Sequence, residues 1–194
     1  LNGVNMINDR QQQTLLALAE EAIRHALQHG TPLQVVPTDY EEVLQQPAAS
    51  FVTLKIQGQL RGCIGSLEAH RSMVQDVAYN ADAAAFSDPR FPPLREEELN
   101  GLELDISLLT PAEEMHFSSE NDLLNQLQPG IDGLILEEGY RRGTFLPSVW
   151  EQLPSPEQFL QHLKLKAGLP PNHWSGNIRV SRYTTQIFGT RLPK

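Results

Sequence analysis

The six residues Leu60-Arg61-Gly62-Cys63-Ile64-Gly65 concentrate the reactive chemistry of this sequence, and Cys63 is its single cysteine. Val52, Leu54 and Ile56 alternate with Thr53 and Lys55 up to Gly58, and the alternation resumes through Leu60 and Ile64, which predicts a hairpin. On its second strand Arg61 and Cys63 share one face about 6.6 Å apart, at roughly 3.3 Å per residue, while Leu60 and Ile64 take the other. A guanidinium at that range favours thiolate over thiol, the usual way a cysteine becomes a nucleophile. Gly62 and Gly65 leave backbone bare beside the sulfur, where amide groups are able to meet a ligand oxygen. The arrangement suits an anionic or carbonyl-bearing ligand. The competing reading is a buried structural cysteine whose neighbouring glycines mark bends or tight packing.

Two further segments carry charge in a usable form. In Ser87-Asp88-Pro89-Arg90-Phe91-Pro92-Pro93, proline at 89 drives Asp88 out of helical geometry and presents Asp88 and Arg90 on a stiff loop. Asp88 is placed to orient a base or accept a proton, and Arg90 to clamp a carboxylate or phosphate through two parallel hydrogen bonds; an internal Asp–Arg pair that merely fixes the loop is the competing reading. Arg141 and Arg142 open a strand, so one faces the core side and the other faces out. Arginine supplies 11 of the 15 basic residues, a bias that suits planar anion recognition and also ordinary surface pairing. The six histidines form no metal signature; His25 and His29 lie one turn apart without a matching glutamate or cysteine, and His70 is a base candidate for Cys63. Nothing matches a glycine-rich dinucleotide loop, a phosphate-binding loop or a serine nucleophile elbow, so no cofactor and no metal is expected.

These segments need a scaffold, and the chain is long enough to build one. At 194 residues, with 40% hydrophobic and 20% charged content, it reads as one folded domain, in one or two lobes. The net charge of −9 argues against nucleic acid or an anionic membrane as partner. No stretch approaches the roughly 18 apolar residues of a membrane span. Leu1 to Arg10 shows no basic segment followed by an apolar run, so no signal peptide is expected, and a lone cysteine suits a reducing cytoplasm. Helical spacing predicts helices over Asp9–His29, Ala69–Ala85, Ser119–Gln128 and Pro156–Lys166, with a short one over Asp39–Gln46. Strict alternation predicts a strand over Leu102–Leu108, a second hairpin over Ile131–Glu137 and Arg141–Leu146, and a last strand over Ile178–Ile187. Hairpins and helices without a strand–helix–strand rhythm predict an α+β fold with a mostly antiparallel sheet. Pro89–Leu94 and Leu169–Gly176 are loop candidates at the border of a second lobe.

The order LRGCIG, an alanine-rich helix, SDPRFPPL, the strand ELDISLLTP, GIDGLILEEGYRRGTFLPSVW and a late KAGLPPNHW resembles the AMMECR-one domain family, and within it the AmmeMemoRadiSam system protein A group. The resemblance runs from about Gln12 to Ile187. It implies an α+β domain in two lobes with the hexapeptide near their cleft, a cytoplasmic bacterial or archaeal setting, and a genetic association with a Memo-like protein and a radical S-adenosylmethionine protein. It supplies no established reaction. Two functions therefore stand open: an enzyme or substrate-handling component with Cys63 as nucleophile, Asp88 as its orienting or proton-accepting group, and Arg61, Gly62, Gly65, Arg90, Arg141 and Arg142 holding a small anionic ligand; or a non-catalytic adaptor with a structural cysteine.

Overall fold

The computed structural model describes residues 6–193, so the reading of the first five residues lies outside it. The chain divides into two compact units, one formed by the residues up to Leu109 together with those from Gln186 onward, the other by Thr110–Thr185. The divisions thus fall outside both loops expected to border a lobe.

The first unit begins with α1 (Asp9–His29). Asn8 accepts the Gln11 amide while the Gln11 side chain accepts the Asn8 amide, and Gly30 ends the helix in the left-handed conformation. Leu15, Leu16, Leu18, Ala19, Ala22 and Ile23 form its buried face. The short helix expected over Asp39–Gln46 is instead a pair of 3-10 turns, Pro37–Asp39 and Glu42–Gln45, because the flanking prolines leave too few residues to nucleate an α-helix. β1 (Ala49–Ile56) and β2 (Gln59–Gly65) make the expected hairpin. They are followed by α2 (Met73–Phe86), capped by Ser72, and by β3 (Glu103–Leu109). The sheet order is β2-β1-β3-β8, where β8 (Thr185–Arg191) returns from the end of the chain. Val52, Leu54, Leu104, Ile106 and Leu108 join α1 and the small side chains of α2 in one core. Complete burial of each such aliphatic side chain contributes about 1.5–3 kcal/mol, which holds the sheet against the helices.

The hairpin departs from regular alternation at one position. Leu54 lies opposite Gly62 but Lys55 lies opposite Leu60, so Arg61 is an extra residue in β2. Such a bulge reverses the facing of the residues before it. Leu60, expected to share the core face with Ile64, is 41% exposed for this reason.

The second unit holds β4 (Glu113–Glu114), α3 (Glu120–Gln126), β5 (Gly133–Glu138), β6 (Arg141–Phe145), α4 (Pro156–Lys166) and β7 (Arg179–Tyr183). Its sheet runs β4-β7-β5-β6, and its pairings are antiparallel. The strand expected over Ile178–Ile187 is two strands in two different sheets, β7 here and β8 in the first unit. Leu134, Leu136, Val180, Phe159, Leu160 and Leu163 form a separate core, in which the Trp150 ring stacks on Phe159 at 3.8 Å between centroids. The fold is α+β, as expected.

Candidate functional site

Cys63 sits on β2, at the edge of its sheet, directly opposite Thr53. An edge strand leaves alternate amides without a ladder partner. Here the loop after α2 supplies one: the Cys63 amide donates to Asp88 Oδ2 at 3.0 Å. Asp88 also accepts from the Arg90 amide at 3.1 Å, from Arg90 Nε at 3.0 Å and from Arg90 Nη2 at 2.8 Å. Its side chain is 2% exposed. The Arg90 guanidinium, then burial in the opposite sense, then the two amides set its titration, with the net effect of holding the carboxyl well below the usual carboxylate range. A carboxylate so held does not accept a proton near neutral pH, so the geometry gives Asp88 an orienting role. Arg90 and Asp88 form the internal pair, with the Arg90 side chain 55% exposed.

Cys63 is half-buried as a residue, and its sulfur lies 3.3 Å from Thr53 Oγ1. Arg61 bonds Glu98 through Nε at 2.9 Å and Nη2 at 3.1 Å, its side chain 11% exposed. Glu98 is held below the usual carboxylate range chiefly by that guanidinium, and it also caps the 3-10 turn Glu96–Leu99 by accepting the Arg95 amide. The remaining nitrogen, Arg61 Nη1, is buried and has no hydrogen-bond partner among the described residues. The Phe91 ring ties the pieces together, with Arg61 Cζ at 5.9 Å and Arg90 Cζ at 5.5 Å from its centroid.

The two glycines of the hexapeptide have packing reasons. A Cβ on Gly62 would stand 2.0 Å from the Ala84 carbonyl oxygen of α2, and one on Gly65 would stand 2.3 Å from the Phe51 ring and 2.4 Å from the Ser50 carbonyl oxygen. Their bareness lets the hairpin meet the alanine face and its own neighbour, rather than leaving amides open to a ligand. Arg141 and Arg142 belong to the second unit and have partners there: Arg141 Nη1 donates to the Gly168 carbonyl, and Arg142 pairs with Glu137 at 3.4 Å. His70, the base candidate, pairs with Glu68 at 3.5 Å and lines a groove with Arg71, Gln75 and Tyr79.

Sequence reasoning missed Thr53, Glu98 and a buried polar cluster beneath β1. Asp76, fully buried on α2, accepts from Ser50 Oγ at 2.6 Å, Asn80 Nδ2 at 3.0 Å and Arg71 Nε at 3.1 Å. Asn80 also donates to the Ser50 carbonyl. Asp76 and Asn80 fall at the i, i+3, i+4 spacing of Met73, Val77 and Ala84, so the helical stripe itself contained the signal.

The fold and this site define a two-unit α+β protein with a half-buried cysteine on a sheet edge, its amide bonded by an Asp–Arg loop. The AMMECR1 family model matches residues 16–188, and the chain belongs to that family. A protein of Methanothermobacter thermautotrophicus is 38% identical over 182 residues, covering 91% of this chain and 92% of that protein. One from Methanocaldococcus jannaschii is 37% identical over 169 residues, covering 83% and 82%. The crystal structure of an uncharacterized protein from Pyrococcus horikoshii superposes with a TM-score of 0.83 at 31% identity, covering 97% of this chain and all of that one. None of the described helices is long and apolar enough to cross a membrane.

Proposed function

We propose that Cys63 is the nucleophile of a thiol-dependent centre that handles a small substrate bearing an anionic or carbonyl oxygen. The observation that carries this reading is Arg61 Nη1. It is a buried donor without an acceptor, two residues from the chain's one thiol, on a guanidinium whose other nitrogens are engaged by Glu98. A buried donor left unpaired costs about 1–3 kcal/mol, which a substrate oxygen reaching it would recover. Asp88 holds the strand that carries the thiol, and Arg90 stands half-exposed beside it. Arg141 and Arg142 bond Gly168 and Glu137 within the second unit and form no part of this centre. The resemblance to the AmmeMemoRadiSam system protein A group extends the proposal to a cytoplasmic pathway shared with a Memo-like protein and a radical S-adenosylmethionine protein.

A second reading, a non-catalytic adaptor, is favoured by the way Arg90, Arg61 and Arg142 are each matched to a carboxylate of their own unit. Metabolite and modification profiles of a strain carrying Cys63→Ala, set beside a full deletion and the parent, separate the two. A nucleophile requires the substitution to reproduce the deletion profile. A parental profile with Cys63→Ala would overturn it in favour of the adaptor.

A further inference from the structure

We infer that the groove between α2 and the segment following α1 is a binding site for a free apolar amino acid, whose carboxylate docks on Arg71 and whose ammonium docks on Asp82. Neither charged residue belongs to the proposed thiol centre.

The groove encloses about 410 Å³, within the range of small-molecule sites, and Leu33, Val35, Arg71, Ala78, Tyr79 and Asp82 are among its walls. Leu33 and Val35 are half-buried and pack on the core of the first unit after Gly30 has ended α1. Ala78, Tyr79 and Asp82 come from α2, where spacings of three and four residues put them on one face. Arg71 stands just before the Ser72 cap of that helix and is fixed three times over. Its carbonyl accepts the Ala48 amide at 3.2 Å, its Nε donates to the fully buried Asp76 at 3.1 Å, and its guanidinium lies over the Tyr79 ring with Cζ 3.8 Å from the centroid. Among the described residues no hydrogen bond takes up its two terminal nitrogens, so an already oriented planar fork is left for a carboxylate.

Asp82 supplies the opposite charge. Among the described residues its carboxylate has neither a hydrogen bond nor an ion pair, and Arg71 pairs with Asp76 instead. Burial alone pushes the Asp82 carboxyl above the usual carboxylate range, so in the free fold it carries a desolvation cost that no cation offsets. Two opposite charges that line one groove without meeting leave room for a molecule bearing both in the reverse order. An amino acid has that pattern, and an apolar side chain on it would lie against Leu33, Val35 and the Tyr79 ring. A carboxylate alone would leave Asp82 unmatched, and a cation alone would leave the Arg71 fork empty.

The test is a two-dimensional NMR titration of the isotope-labelled full chain with three probes: L-leucine, 4-methylpentanoate, which lacks the ammonium, and 3-methylbutylamine, which lacks the carboxylate. L-leucine is expected to shift the amides of residues 33–35 and 78–82 and to saturate. Each single-charge probe is expected to bind about tenfold more weakly or worse, the effect of losing one charge-assisted bond. Asp82→Asn is expected to weaken L-leucine about tenfold and to leave 4-methylpentanoate unchanged. Because this variant removes a desolvated charge that has no partner, it is expected to melt at or above the parent's temperature. Arg71→Lys keeps a charge facing Asp76 without the fork and is expected to weaken both carboxylate probes about tenfold. The inference is overturned by the absence of saturable shifts with L-leucine up to about 10 mM, or by a single-charge probe that binds as tightly as L-leucine. Parental affinity for L-leucine in Asp82→Asn overturns it as well, and so does a lower melting temperature in that variant, which would give the carboxylate a partner within the fold.

Discussion

Replacing Asp88 with asparagine isolates what holds the thiol-bearing strand. The carboxylate accepts four hydrogen bonds, two on each oxygen: the Arg90 amide and Nε on Oδ1, Arg90 Nη2 and the Cys63 amide on Oδ2. An asparagine amide has one acceptor and one donating nitrogen. In either orientation it presents NH2 to two donors, so two bonds are lost and two donors are set against a donor. Each orientation leaves one backbone amide unsatisfied, that of Cys63 or that of Arg90, at a cost of about 1–3 kcal/mol, and the lost contact with the half-exposed Arg90 side chain adds up to about 1 kcal/mol. A total of about 1–4 kcal/mol lowers the melting temperature of a chain this size by roughly 2–16 °C at pH 7. The pH dependence follows from the low titration of Asp88 in the fold. Its contribution is complete above the unfolded carboxyl value of about 4 and fades as pH falls from there toward the folded value. Thermal unfolding of both proteins from pH 7 down to pH 3 measures this, and the gap is expected to begin narrowing below about pH 4. Equal stability at pH 7, or a gap unchanged across the range, refutes the reasoning.

Gly62→Ala is expected to lower the melting temperature by several degrees without rescue by Ala84→Gly, since the obstructing atom is the Ala84 carbonyl oxygen and overpacking of this kind costs about 1–3 kcal/mol; differential scanning fluorimetry of the single and double variants decides. Asp76→Ala strips the acceptor from Ser50, Asn80 and Arg71, and breaking a buried charged cluster of this kind costs about 3–5 kcal/mol, a drop of about 10 °C in the same assay. Burial pushes the Tyr183 hydroxyl up to about 12, so ultraviolet titration is expected to show one of the four tyrosines ionising well after the others, and Tyr183→Phe removes that last step.

The helices were legible because apolar spacing and end signals agree in them: Asp9–His29 and Pro156–Lys166 are read from the sequence at their observed bounds. The register of the first hairpin was not. Counting outward from the turn at Gln57 and Gly58 without a bulge puts Cys63 opposite Val52, on the core side, whereas the extra residue at Arg61 puts it opposite Thr53. No local propensity announces that insertion; it follows from tertiary packing, where Gly62 must meet Ala84. The pairing of Asp88 with Arg90 was legible as one of two readings because Pro89 confines the loop. Glu98 was not, since it lies 37 residues from Arg61 and only the folded unit brings the two together. The single run from Ile178 to Ile187 concealed a change of sheet, because alternation continues through the residue where the chain passes from one unit to the other.

The central claim is that the Cys63 sulfur is a reachable, working thiol rather than packing. Intact-mass counting of iodoacetamide adducts on the folded protein at pH 7.4, with a parallel sample in guanidinium chloride, tests it on the chain's only thiol. The expected result is one adduct on the folded chain within minutes. A folded chain that stays unmodified for hours while the denatured sample reacts at once contradicts the claim.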